Sequence, residues 1–123
     1  MAPMAATLVN DTVTSNVIAY IQSLPNDPAP ETVSGDLANG EALYNSTCST
    51  CHGDDGTGRW KVHAPALAGM TDWYMVRQLQ NFKSGVRGAH PEDQLGYQMT
   101  AMVSALADDD AINDVVAYIN TLK

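Results

Sequence analysis

The chain has 123 residues, 14 Asp and Glu against 6 Lys and Arg, a net charge of −8, and two cysteines. Its length suits one domain of ordinary size, and 45% hydrophobic residues are enough for a packed core, which excludes wholesale disorder. An acidic chain is a poor match for nucleic-acid backbones, no run of 18 apolar residues offers a transmembrane helix, and the first basic residue is Arg59, so a basic leader or transit segment is not expected at its start.

Helical periodicity appears four times, and no segment alternates with the period of a strand. Asn10 or Asp11 can cap a helix over 12–24, with Val13, Val17, Ile21 and Leu24 on one stripe. Pro25, Pro28 and Pro30 make 25–35 an extended linker. Asp36 can cap a second helix over 37–47. Residues 53–70, rich in Gly, Pro and Ala, read as a long loop. Thr71 can cap a third helix over 72–84 that Gly85 ends, with Trp73, Val76, Leu79 and Phe82 on its apolar side. Residues 85–98 read as a second long loop, with Met99 and Met102 in the connection before the last helix. Asp108 can cap that helix over 109–122, and Asp109 and Asp110 complement the dipole of its first turn. Two long loops in a small helical protein suit a chain wrapped round something.

The charge is unevenly spread. Residues 1–58 carry seven acids and no Lys or Arg, whereas 59–123 carry seven acids and six bases. A solvated acidic surface accounts for this, and a docking face for a basic or largely apolar partner is the functional alternative. An internal repeat also stands out. Residues 1–24 align without gaps on 99–122, with nine identities, among them Met1/Met99, Met4/Met102, Val17/Val115, Tyr20/Tyr118 and Leu24/Leu122. Amphipathic helices alone align apolar positions, but a matched Met-x-x-Met and a matched Ala-Tyr-Ile at one offset point to duplication.

The chemistry is concentrated in Cys48-Ser49-Thr50-Cys51-His52, the attachment sequence of a c-type haem. Two thiols separated by two residues can each bond one vinyl-derived carbon of the same porphyrin, and the adjacent His52 then lies where it can ligate iron. A thioredoxin-like dithiol would want a βαβ setting, which is missing. A zinc site would want two further Cys or His at close spacing, and His63 and His90 do not stand in such a pair. A sixth iron ligand can come from Met99 or Met102, since a thioether opposite His suits electron transfer. His63 or His90 is the other option, and each Met can equally be core filler. Met75 falls inside a helix and reads as packing.

From about Gly35 to Lys123 the chain resembles a class I cytochrome c domain. The likeness rests on Gly40-x-x-Leu43-Tyr44, the haem motif, Pro65-x-Leu67-x-Gly69, the Tyr74-to-Gly85 stretch, the Met segment and Ala117-Tyr118-Ile119. It is most like one domain of the bacterial tandem di-haem cytochromes c. The resemblance implies an all-α class I cytochrome c fold with an extra N-terminal helix, and one haem c attached through Cys48 and Cys51. It implies His52 as proximal ligand, Pro65 as the carbonyl that accepts from its imidazole, and Met99 as distal ligand, eight residues before Ala107, with Met102 as runner-up. Gly40 and Tyr118 match the crossing of the first and last helices. Leu67, Trp73, Tyr74, Leu79 and Phe82 match the haem pocket or its back wall. Arg59 and Trp60 fall where the family often supplies donors to the haem propionates, with Lys61 and His63 as weaker candidates of the same kind and the alternative an exposed Arg beside a partly buried Trp. His90 reads as a solvated surface residue.

The domain organisation expected is 1–24 as a helix resembling the tail of a preceding cytochrome domain, 25–35 as linker, and 36–123 as the haem domain. The function expected is one-electron transfer in a bacterial respiratory chain, in the periplasm, with redox proteins as donor and acceptor. The helix over 12–24 is expected to self-associate or dock. With no general base, nucleophile or oxyanion site to place, the chain does not read as an enzyme. A haem sensor with an open sixth position, and a non-haem protein with a structural metal or disulfide, are the competing readings.

Overall fold

The structure is a computed structural model that describes residues 2–25 and 29–122. Among these residues there are seven α-helices and no β-strand, only an isolated antiparallel bridge between Arg59 and Ala64. The helices are α1 (Ala2–Ala5), α2 (Asp11–Ser23), α3 (Leu37–Leu43), α4 (Ser49–His52), α5 (Asp72–Lys83), α6 (Gln94–Val103) and α7 (Asp109–Ile119). A single wide π-turn, Tyr44–Cys48, joins α3 to α4, so the helix expected over 37–47 runs on as one path from Leu37 to His52.

Local chemistry explains most of the starts. The Asp36 carboxylate accepts from Ala38 and Asn39 N–H at 2.9 and 3.2 Å, that of Asp108 from Ala111 at 2.9 Å, and the Asn10 amide oxygen from Val13 at 3.0 Å. Thr71 occupies the expected cap of α5 but its side chain makes no capping bond. The next residue, Asp72, takes over. Its buried carboxylate accepts from its neighbour Trp73 N–H at 2.6 Å, from Val33 N–H at 2.8 Å, and from both the N–H and hydroxyl of Thr32. The end of the extended segment before α3 is thereby tied to the start of α5.

The core is built where α3 crosses α7. Gly40 makes the close approach possible: a Cβ there would overlap the Asp114 carbonyl oxygen and lie 2.9 Å from Tyr118 Cβ. Asp114 strengthens the crossing by accepting from Asp36 N–H and Asn39 Nδ2, each at 2.7 Å. Tyr44 and Tyr118 stack tilted at 5.6 Å beneath it. Ile112, Val115, Val116 and Ile119 of α7 pack with Tyr44, with Met75 and Phe82 of α5, and with Val103 and Leu106. Met75 is therefore core, as its place in the helix suggested.

Residues 85–98, expected to be loop throughout, are helical from Gln94, and Met99 and Met102 sit on α6 rather than in a connection. Asp93 caps this helix by accepting from Gly96 N–H at 2.8 Å. Gly96 is what masked it, because Gly in a first turn reads as a breaker. The structure needs that Gly, since a Cβ would fall 2.6 Å from the Asp93 carboxylate carbon and 2.8 Å from Gly88 Cα.

Helix α2 forms as expected but buries no residue, and Val17, Ile18, Tyr20, Ile21 and Leu24 are exposed. Met1, the counterpart of Met99 in the repeat, and Pro28 of the linker lie outside the described residues. No described helix is long and apolar enough to cross a membrane.

Candidate functional site

The Cys-x-x-Cys-His stretch begins at the end of the π-turn and fills α4. A π-turn carries one residue more than an α-turn, so it shifts the register of everything after it by that residue. Both thiols are free; Cys48 is half-buried and Cys51 exposed. Burial pushes the Cys48 thiol up to about 11, with Cys51 adding to the effect. A dithiol built for redox exchange depresses a thiol, the opposite of what burial does to Cys48.

His52 is buried, 5% exposed. Its Nδ1 lies 2.8 Å from the carbonyl oxygen of Pro65. A carbonyl only accepts, so this bond places the proton on Nδ1 and leaves Nε2 with the lone pair, the tautomer required of a metal ligand. The loop between the two residues is wound to bring them together. Gly58 N–H donates to His52 O at 2.7 Å, and Leu67 and Ala68 N–H both donate to Gly56 O. Gly58 has φ +83° and a Cβ on it would fall 2.6 Å from Ala66 N, so only glycine suits this turn. Tyr44 clamps the start of the same loop: its buried hydroxyl, pushed up to about 12 mainly by burial, donates to Gly53 O at 2.6 Å.

A cavity of about 400 Å³ opens against this stretch. Three pieces of chain wall it. The first brings Thr47, Cys48, Cys51 and His52. The second is the loop Val62, His63, Ala64 and Pro65. The third runs from the end of α5 through the following loop to α6, with Phe82, Arg87, Leu95, Met99 and Met102 among its members. On α6 the residues Leu95, Gln98, Met99 and Met102 recur at helical spacing and share the cavity face. Met99 is half-buried and packs against the core, whereas Met102 is 44% exposed. The donor set fits a c-type haem: two unpaired thiols, an oriented imidazole and thioethers border one largely apolar space.

Other expected site residues lie elsewhere. Trp60 is 81% exposed on a short 3₁₀ turn, Arg59 is exposed and paired through its backbone with Ala64, and neither borders the cavity. Leu67 and Leu79 pack half-buried against the core and are not cavity-lining. Trp73 and Tyr74 are exposed on α5 and meet edge to face at 6.1 Å; they do not wall the cavity, because the inward side of α5 is taken by Met75 and Phe82. Of the five pocket residues expected, Phe82 alone lines the cavity among the described residues. His63 borders it, whereas His90 is exposed in the loop before α6 and accepts from Glu92 N–H at 3.2 Å. Sequence reasoning missed Arg87, which borders the cavity with its guanidinium 4.6 Å from the Phe82 ring centre and bonded to Gln78 Oε1 at 2.9 Å. The signal for it was present: in the loop after α5, Arg87 is the only Lys or Arg between Gly85 and α6.

Residues 37–123 match the family Cytochrome c. The chain belongs to the cytochrome c family. Cytochrome c-554(547) of Halothiobacillus neapolitanus is 36% identical over 93 residues, which cover 72% of this chain and 99% of that protein. Cytochromes c4 of Azotobacter vinelandii and Stutzerimonas stutzeri are 33% and 34% identical over 91 residues, again 72% of this chain but 42% of each relative. This cytochrome thus spans nearly the whole of one relative and under half of the others. It is a helical electron carrier with haem c attached through Cys48 and Cys51, and its function requires redox partners.

Proposed function

We propose that this cytochrome c domain relays single electrons in a bacterial respiratory chain, in the periplasm, with His52 and Met99 as the two protein ligands of the haem iron. Bound haem c supplies the one-electron Fe(II)/Fe(III) couple. The chain's own residues do the rest. Cys48 and Cys51 tether the group, and Pro65 holds His52 in its ligand tautomer and orientation. The apolar wall from Phe82, Leu95 and α6 keeps water away and favours the less charged reduced state.

The observation that carries this reading is the presence of His52, both thiols and a half-buried Met99 on the walls of one cavity. Met99 is preferred to Met102 because it packs against the core, whereas an exposed side chain is held less firmly. The optical spectrum of the oxidised protein tests it. Wild type and Met102→Ala are expected to show the weak far-red band of an iron–thioether bond, and Met99→Ala to lose it. Loss of the band in Met102→Ala alone would reassign the ligand. A high-spin wild-type spectrum would select a sensor with an open sixth position instead.

Residues 1–24 are read as the last helix of a preceding cytochrome unit, 25–35 as the linker and 36–123 as the haem domain. The nine identities with 99–122 support this, and so does the absence of any buried residue on α2. A second Cys-x-x-Cys-His encoded upstream is the expected finding; an upstream sequence of unrelated composition would remove the reading.

A further inference from the structure

We infer that Arg87 is the cationic positioning residue for the carboxylates of the haem and that it raises the potential of the iron. The inference rests on the haem reading of the cavity. Haem carries two propionate carboxylates, and a carboxylate held against a largely apolar wall needs a cation or strong donors beside it. Arg87 is the one Lys or Arg among the described residues that wall the cavity. The residues first suited to the role, Arg59 and Trp60, do not border it.

The guanidinium is held from two directions. Its carbon stands 4.6 Å from the centre of the Phe82 ring, close enough for a cation–π contact. One terminal nitrogen donates to Gln78 Oε1 at 2.9 Å. Phe82 is itself buried and part of the cavity wall, so the stack fixes the charge at the rim. The backbone supports this, with Arg87 N–H donating to Asn81 O at 3.0 Å. A guanidinium has five N–H donors, and the Gln78 bond uses one of them, so a planar fork remains for a carboxylate. Asp93 also borders the cavity and keeps its negative charge there, but its carboxylate is turned to the start of α6, where it accepts from Gly96 N–H at 2.8 Å, and no ion pair joins it to Arg87 among the described residues.

A fixed positive charge beside the haem disfavours the more positive Fe(III) state. Replacing Arg87 by Gln is expected to lower the midpoint potential of the loaded protein by the equivalent of a threefold to tenfold shift in the oxidised-to-reduced ratio, up to about 59 mV. Arg87→Lys keeps the charge and is expected to retain most of the potential. Arg77→Gln removes a charge from an exposed α5 position away from the cavity and is expected to leave it unmoved. Should Arg87→Gln fail to load haem, Arg87→Met, which keeps an apolar stem over Phe82, is titrated in its place. A loaded Arg87 variant without the charge that titrates at the wild-type potential overturns the role of Arg87. A wild-type chain whose mass shows no covalent haem overturns the haem reading itself.

Discussion

Asp72 shows how one side chain organises a small domain. Burial on its own would raise its carboxyl, but the N–H groups of Thr32, Val33 and Trp73 and the Thr32 hydroxyl outweigh it and hold the group down at about 2, against an ordinary 3.8. A depressed folded value means the charged form is preferred in the fold. The stabilisation is therefore complete above about pH 5 and is lost as pH falls from about 4 towards 2. Denaturant unfolding of wild type and Asp72→Asn at several pH values checks this. The variant is expected to be less stable by about 1–3 kcal/mol at neutral pH, as for hydrogen bonds to a charged acceptor, and the gap is expected to close near pH 2. A gap that stays constant with pH would show that the charge is not what holds Thr32 and Val33. Residue-level chemistry was partly legible beforehand. The haem motif needs only five consecutive residues, so it is readable without a fold. Asp72 was not, because its partners lie 39 and 40 positions away.

At the scale of elements, the crossing of α3 and α7 decides whether the haem-bearing turn is held in place. Gly40 is the point of nearest approach, and Tyr44, one turn on, leads into the π-turn that carries Cys48. Gly40→Ala gains helix propensity of about 1 kcal/mol but forces a methyl onto the backbone of Asp114, so a net loss of about 1–3 kcal/mol is expected in thermal or denaturant unfolding. An unchanged midpoint would mean that the helices slide apart at no cost. Helix α6 is the instructive failure of pattern reading. Leu95, Met99 and Met102 carry a helical stripe, but Gly96 and the preceding Gly-x-x-Gly segment of 85–88 outweigh it in any local count. Gly88 and Gly96 are there for a tertiary reason, since they approach each other closely, whereas Gly85 meets nothing within 4 Å and serves its own turn at φ +72°. The same limit applies to Trp73 and Tyr74, whose helical spacing suggested an inward face that Met75 and Phe82 in fact occupy.

For the molecule as a whole, α2 stands apart from the packed unit. It shares Val17, Ala19, Tyr20 and Ile21 with the positions that α7 uses in and beside the core, yet none of them is buried on α2. An apolar stripe of this kind in water favours burial against a second surface. On the reading that α2 self-associates, the full chain is expected to elute from gel filtration at a larger mass than the chain lacking residues 1–30. Equal monomeric masses would remove self-association. The unfolding midpoint of the haem unit is expected to change little on that deletion, because α2 buries no residue.

The sequence by itself determined the haem-attachment motif, the caps of α2, α3 and α7 and the helical class, because each depends on residues within about one helical turn of one another. The tertiary structure alone decided which methionine is half-buried at the cavity, that α6 rather than a loop presents it, and that Arg87 rather than Arg59 borders it. Those outcomes depend on segments some tens of residues apart meeting round one space. Spacing along the chain says nothing about such meetings until the glycine contacts and the α3–α7 crossing have set the distances.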